Sequence, residues 1–279
     1  MEGYMTLQDI DQVVEAINGR TTHKPRIGLI LGSGLGAVAD MVEKPDIIPT
    51  ATLPLWPRST VLGHKGRLVI GTLAGHEVMV LQGRTHYYEG YSMSQVTLPV
   101  RVMKRLGVDI LIVTNAAGAI EPSFAPGDLM LITDHIGLIA MTGLNPLIGP
   151  NIDEFGVRFP DMSQAYDRQL MTLTREVAKE KNILLHEGIY TCLSGPSFET
   201  PADLRFLHGV GSSAVGMSTV PEVIVARHAG MRVLGISGIS NKANLDGNTV
   251  TTHEEVLQAG DVISPKMQAL ILGVLNKIK

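Results

Sequence analysis

The sequence is poor in cysteine, in surplus charge and in long apolar runs. One cysteine, Cys192, stands among 279 residues, so no intrachain disulfide is available and a reducing cytoplasm is expected. A formal net charge of −4 leaves no basic footprint for nucleic acid or for an acidic membrane surface. The longest apolar runs, such as that around Ile110 to Val113, are strand-sized and far short of a membrane span. The N-terminal MEGYMTLQDIDQVV has no basic segment followed by an apolar one, so no signal peptide is expected. Metal-ligand spacing is also missing: His253-Glu254 would need a second histidine at position 257, which is Leu.

What remains is a globular composition, 44% apolar and 18% charged, long enough to bury a sizeable core. Thr6 to Asp9 has the pattern of a capping box, and Ile10, Val13, Val14 and Ile17 follow at helical spacing. Arg26 to Leu31 reads as a buried strand. RLVIGTL and HEVMVLQ, joined by Ala74-Gly75, read as a hairpin. Helices are expected over Gln95 to Leu106, Ser163 to Lys181, after Thr200-Pro201, after Thr219 to Pro221, and from the capping box Thr252 to Glu255 onward, with a kink at Pro265. Further strands are expected at Ile110 to Thr114, Leu129 to Thr133, Gly188 to Leu193 and Arg232 to Ser237. The alternation predicts an α/β fold: a single domain over residues 1–279, with a mixed sheet flanked by helices. Thr142 to Asp161, rich in Gly, Pro and Asn, is a long loop of the length that serves a function or an interface.

Four strand ends carry possible oxyanion contacts. IGLILGSGLGA, from Ile27 to Ala37, meets the loose dinucleotide pattern at Gly32, Gly34 and Ala37. No acidic residue follows in ATLPLWPRST to hold ribose hydroxyls, and a hairpin comes next instead of a βαβ unit. A Walker loop is excluded because no Gly-Lys-Ser/Thr follows. Ser33 among these glycines favours an anion, against a turn whose glycines serve packing alone. Arg84, His86 and Tyr88 alternate in GRTHYYEG and project to one side if the chain is extended there, or else sit in a solvated loop. Asn115 to Ala119 leaves a strand as small residues. Ser218, in GMSTV, sits just before a helix; it is either a cap or a contact for an anion at the helix N-terminus.

Taken together, LGSGLG, STVLGHKGRL, GRTHYYEGY, TNAAGA, GVRFPDMS, SGPSFETPAD, VGMSTVPEVIVARHAG and ISNKAN…THEEV resemble, in order, the trimeric, low-molecular-mass purine nucleoside phosphorylases. The resemblance runs from about residue 25 to 260, and GPSFET and GMSTVPEV are its most specific blocks. It implies phosphorolysis of purine (deoxy)ribonucleosides to free base and (deoxy)ribose 1-phosphate, without metal or organic cofactor, inorganic phosphate being a co-substrate. By the same resemblance Ser33, His64, Arg84, His86, Ala116 and Ser218 hold phosphate. Tyr88, Tyr190, Met217 and His253 serve the nucleoside, His253 at the 5′-hydroxyl; Phe198 packs on the base, and Glu199 and Asn241 bind its edge. His86, Glu199 and Asn241 are the implied catalytic residues. Phe159 is implied to reach the neighbouring site of a homotrimer. Methylthioadenosine phosphorylases share GPxFET and the VPEV helix, but carry Asp in place of Asn241 and Thr in place of Ser218, and lack the His253 partner. A nucleoside- or dinucleotide-binding protein without phosphorolysis is the alternative from another class. The chain departs from the family pattern at Thr85, often aromatic there, and matches it loosely over residues 243–252.

Overall fold

A computed structural model describes residues 4–61, 63–248 and 252–278; the side chain of His253 lies outside what it describes. Nine strands form one mixed sheet: β1 (Ile27–Leu31), β2 (Glu43–Pro49), β3 (Arg67–Leu73), β4 (His76–Gln82), β5 (Ile110–Ala119), β6 (Leu129–Ile136), β7 (Leu185–Cys192), β8 (Ala214–Gly216) and β9 (Arg232–Lys242). They are ordered β2-β3-β4-β1-β5-β8-β7-β6-β9, and β5 also pairs with β9. That extra pairing makes the last five strands return on themselves as a closed barrel, with β2, β3, β4 and β1 extending from it as an open sheet. β1 lies between β4 and β5, parallel to both, and all five of its residues are buried, which is why it reads as an unbroken apolar run.

The helices are α1 (Leu7–Asn18), α2 (Met93–Val96), α3 (Leu98–Arg105), α4 (Arg168–Glu180), α5 (Pro201–Gly209), α6 (Val220–His228) and α7 (His253–Lys277). Capping boxes open α1 at Thr6/Asp9 and α7 at Thr252/Glu255, as their sequences predict; α5 starts at the expected Thr200 N-cap with Pro201 in its first turn, and Asp203 completes a capping box there as well. The hairpin turn between β3 and β4 is also as expected, with Ala74 and Gly75 both at positive φ (51° and 79°).

Several expectations are corrected. The helix expected from Ser163 starts at Arg168, because Asp167 caps it through the N–H groups of Gln169 and Leu170. Tyr166 is therefore outside the helix, buried beneath His135. The helix expected over Gln95 to Leu106 is divided at Thr97, and Pro99 falls in the first turn of the second piece, where its missing N–H costs nothing. The C-terminal helix is as expected in containing Pro265: α7 spans His253 to Lys277. β2 and β8 had no clear signal. β2 holds two prolines and several exposed polar residues, which suits a sheet edge; β8 has only three residues.

The most consequential difference is in β5 and β9. Asn115 to Ala119 does not leave the strand but continues it, paired with β9. Ala117 faces Ile239 and Gly118 faces Asn241, so Ser240 is an extra residue on β9. A bulge of this kind bends the strand and re-aims the side chain beside it; here that residue is Asn241.

Candidate active site

The C-terminal ends of β1, β4, β5, β8 and β9 open on one cavity of about 360 Å³. Ligands in open α/β sheets gather at such ends. Ser33, Arg84, His86, Tyr88, Ala116, Phe198, Glu199, Met217, Ser218 and Asn241 all line it, so ten expected site residues, widely separated in sequence, meet in one space.

The glycine loop after β1 makes the first wall. A Cβ on Gly32 would stand 2.8 Å from the Cα of Asn115, so only glycine lets the chain turn this close to β5. Gly34 has φ +73° and lies against Gly260 of α7. Between them, the Ser33 hydroxyl is 3.1 Å from Nε2 of His64. His64 itself does not line the cavity. Its Nδ1 is 2.8 Å from the carbonyl of Arg84, and a carbonyl only accepts, so Nδ1 carries the proton and Nε2 is free to accept. Burial, with the charges of His86 and Arg84, lowers the His64 pKa to about 4 and keeps the ring neutral at pH 7.

The second wall is Gly83 to Gly90. Arg84, His86 and Tyr88 all face the cavity, but not through an extended chain. His86 is extended, and Tyr87–Glu89 then forms a 3₁₀ turn closed by Gly90 at φ +90°. The turn stacks the His86 ring on Tyr88 at 4.7 Å between centroids, with His64 5.5 Å away on the same ring. Glu89 fixes His86 from behind by accepting from its backbone N–H (2.7 Å) and Nδ1 (3.0 Å), and it also accepts from the N–H and hydroxyl of Thr60. Burial alone would raise the Glu89 carboxyl, but these bonds outweigh it and hold its pKa at about 2. Burial lowers the His86 pKa, with the Glu89 contact opposing. With Nδ1–H committed to Glu89, Nε2 is the ring atom left for a ligand. Neither Glu89 nor Thr60 carries a sequence signal of this role, apart from the capping-box spacing of His86 to Glu89.

Arg84 is 2% exposed. Its Nη1 donates to the hydroxyls of Ser218 (2.8 Å) and Thr219 (3.0 Å), and its Nη2 to the carbonyls of Ile30 and Thr114. Ser218 is thus no helix cap: Thr219 occupies the cap position of α6, without a side-chain cap bond, and the Ser218 hydroxyl belongs to the arginine and the cavity. Tyr190 is fully buried and does not line the cavity; its hydroxyl accepts from the Ser218 N–H at 3.4 Å, behind the wall.

The far end of the cavity is less charged. Phe198 is 46% exposed across its mouth, beside Met217, Glu199, Leu204 and Val215. Burial raises the Glu199 pKa, opposed by a backbone N–H and helped by Asp203. The Asn241 amide has a defined orientation. Nδ2 donates to the carbonyl of Lys242 (3.2 Å) and Oδ1 accepts from Ser240 (2.8 Å), which leaves Nδ2 a second N–H on a residue that lines the cavity. Phe159 lines a different cleft, with His135, Met141 and Ile148, and is 85% exposed. The expected ribose contact of His253 falls on a side chain outside the described residues; its backbone opens α7. Among the described residues no group of three or more His, Cys, Asp or Glu could hold a metal ion, and no helix is long and apolar enough to cross a membrane.

A mixed α/β sheet whose strand ends bring hydroxyls, a guanidinium and an imidazole together beside an aromatic-and-amide compartment has the groups of an enzyme that handles an anion and an organic substrate. The profile of the phosphorylase superfamily matches residues 26–276. The chain is 53% identical to purine nucleoside phosphorylase 1 of Bacillus subtilis over 266 residues, 95% of this chain and 97% of that one. It is 46% identical to the purine nucleoside phosphorylase of Rattus norvegicus over 284 residues, 100% and 98% of the two chains. The solved structure of the Schistosoma mansoni purine nucleoside phosphorylase in complex with inosine superposes with a TM-score of 0.94 at 42% identity, covering 98% of each chain. This chain belongs to the phosphorylase superfamily and, within it, to the purine nucleoside phosphorylases.

Proposed function

We propose that the chain catalyses reversible phosphorolysis of purine ribonucleosides and 2′-deoxyribonucleosides, with 6-oxopurines preferred. A phosphate oxygen attacks C1′, the bond to N9 breaks, and free purine and (deoxy)ribose 1-phosphate leave. The observation that carries this reading is the meeting, in one cavity, of an oxyanion cradle (Ser33, Arg84, His86, Ser218) with the edge-binding pair Glu199 and Asn241. No cofactor is called for, because phosphate itself is the nucleophile. Held in line, it contributes by positioning and by charge opposite a developing oxocarbenium ion. The Ala116 backbone and the Ser33 loop offer N–H groups to it, and His64 orients the Ser33 hydroxyl. Tyr88, Met217 and His253 serve the ribose, with the buried Tyr190 supporting that wall from behind, and Phe198 packs on the base.

Asn241 donates to N7 as the purine gains charge, a preorganised donor worth on the order of 3 kcal/mol. Glu199 accepts from N1–H of hypoxanthine or guanine. Adenine lacks that proton, and facing acceptor to acceptor costs roughly 1–3 kcal/mol. Asn241 and Ser218 also set the chain apart from methylthioadenosine phosphorylases. Phe159 closes the site of a neighbouring subunit in a homotrimer. Its 85% exposure, beside exposed Met141, Ile148 and Val157, supports an apolar contact surface there. The single buried thiol fits a cytoplasmic enzyme. A panel of inosine, guanosine, adenosine and methylthioadenosine, each with phosphate, tests the reading; kcat/KM for adenosine equal to that for inosine contradicts the base preference.

A further inference from the structure

Thr219 has φ +74° and ψ −55°, and the N–H of Val220 donates back to the carbonyl of Ser218 at 2.8 Å. This is a γ-turn centred on a β-branched residue, a strained conformation that persists only where its surroundings enforce it. Arg84 Nη1 (3.0 Å) and Asn115 Nδ2 (2.9 Å) both donate to the Thr219 hydroxyl and hold the turn, which presents Ser218 to the cavity. The arginine is anchored in turn by the carbonyls of Ile30 and Thr114. Four hydrogen bonds to neutral oxygens therefore fix its position.

A fifth contact is of another kind. Arg84 Nε lies 3.4 Å from Oε1 of Glu222, a carboxylate 3% exposed in the first turn of α6, whose Oε2 makes no hydrogen bond. Since neutral partners already place the guanidinium, Glu222 adds negative charge more than geometry. That charge is screened little at such burial.

We propose that Glu222 is an affinity-determining residue: a built-in counter-charge that weakens the field of Arg84 on the phosphate subsite, so that phosphate and sugar phosphate exchange readily. The proposal rests on the phosphorolytic reading above. Without Glu222, bound phosphate takes over as the counter-charge of Arg84. The test is calorimetric titration of inorganic phosphate into the whole enzyme, with thermal unfolding read with and without phosphate. Glu222→Gln keeps size and removes charge; it should tighten the phosphate Kd about three- to tenfold and enlarge the phosphate-induced rise in Tm. Glu222→Asp keeps the charge and should bind phosphate within about twofold of the parent. Equal weakening by Gln and Asp overturns the proposal, because it marks a purely geometric role. So does a Gln variant that stays unfolded at saturating phosphate. If the parent enzyme itself binds no phosphate, the phosphorolytic reading fails first, and the two failures are thus distinguishable.

Discussion

Arg84 and Ser218 stand 134 positions apart in the chain, and Nη1 of one donates to the hydroxyl of the other at 2.8 Å. This bond joins the end of β4 to the start of α6 and brings together, from two elements, the groups proposed to hold phosphate. Ser218→Ala leaves the buried Nη1 short of an acceptor and removes a hydroxyl from the subsite. Phosphate KM should rise about tenfold, with nucleoside KM nearly unchanged, as a lost charge-assisted hydrogen bond implies. Steady-state kinetics with each substrate varied in turn checks it; a rise confined to nucleoside KM argues against this placement.

Asn241 owes its position to the bulge at Ser240 and its orientation to Ser240 and Lys242. Asn241→Asp replaces the proposed N7 donor by an acceptor. We expect kcat/KM for inosine to fall by about 100-fold or more, the usual cost of removing a preorganised donor. Adenosine, whose 6-amino group can donate to the new carboxylate, should lose much less, so the ratio of the two substrates shifts toward adenosine. Turnover of the two nucleosides, each with phosphate, is the quantity to compare.

Glu89 collects hydrogen bonds from His86 and Thr60 that hold its pKa at about 2, below the usual 4.5. A carboxyl depressed in the folded state stabilises fully above its unfolded pKa, and that stability fades as pH falls through the folded value. Glu89→Gln should therefore lower Tm at pH 7, and the gap from the parent should narrow as pH drops from about 5 toward 2. Thermal unfolding across that range decides it; a gap that widens on acidification contradicts the assignment.

Phe159 is 85% exposed and makes no contact with the cavity of its own chain. If it closes a neighbour's site, Phe159→Ala should raise nucleoside KM several-fold while phosphate KM stays put. Truncating a side chain this exposed should leave monomer stability within about 0.5 kcal/mol. A nucleoside KM like that of the parent enzyme would limit this loop to a structural role.

Much of the fold was legible because its signals are local. Thr6 and Thr252 announce their helices through capping boxes, Thr200-Pro201 through an N-cap and a first-turn proline, and Ala74-Gly75 announces the β3–β4 hairpin. The closed barrel was not legible, since it depends on β5 pairing with β9 and on a three-residue strand, β8. In the site, Ser33, Arg84, His86 and Ser218 read as possible oxyanion contacts by residue type and by their places at strand ends, while a helix cap at Ser218 and a solvated loop at Arg84 and His86 fit the same residues. The base-binding residues came through family resemblance alone. Glu222 is hidden in the sequence because it sits in the first turn of a helix and matters only through Arg84, far away in sequence. Thr219 was hidden because nothing in its type predicts a positive φ; the turn is imposed by Arg84 and Asn115.

The central claim is that the cradle holds phosphate as a reactant. It is tested most directly by incubating the enzyme with inosine, with and without inorganic phosphate, and following hypoxanthine and ribose 1-phosphate. The account predicts both products in equal amounts, with a rate that saturates in phosphate and falls to near zero in its absence. Base release at the same rate without phosphate, or none under either condition, would contradict it.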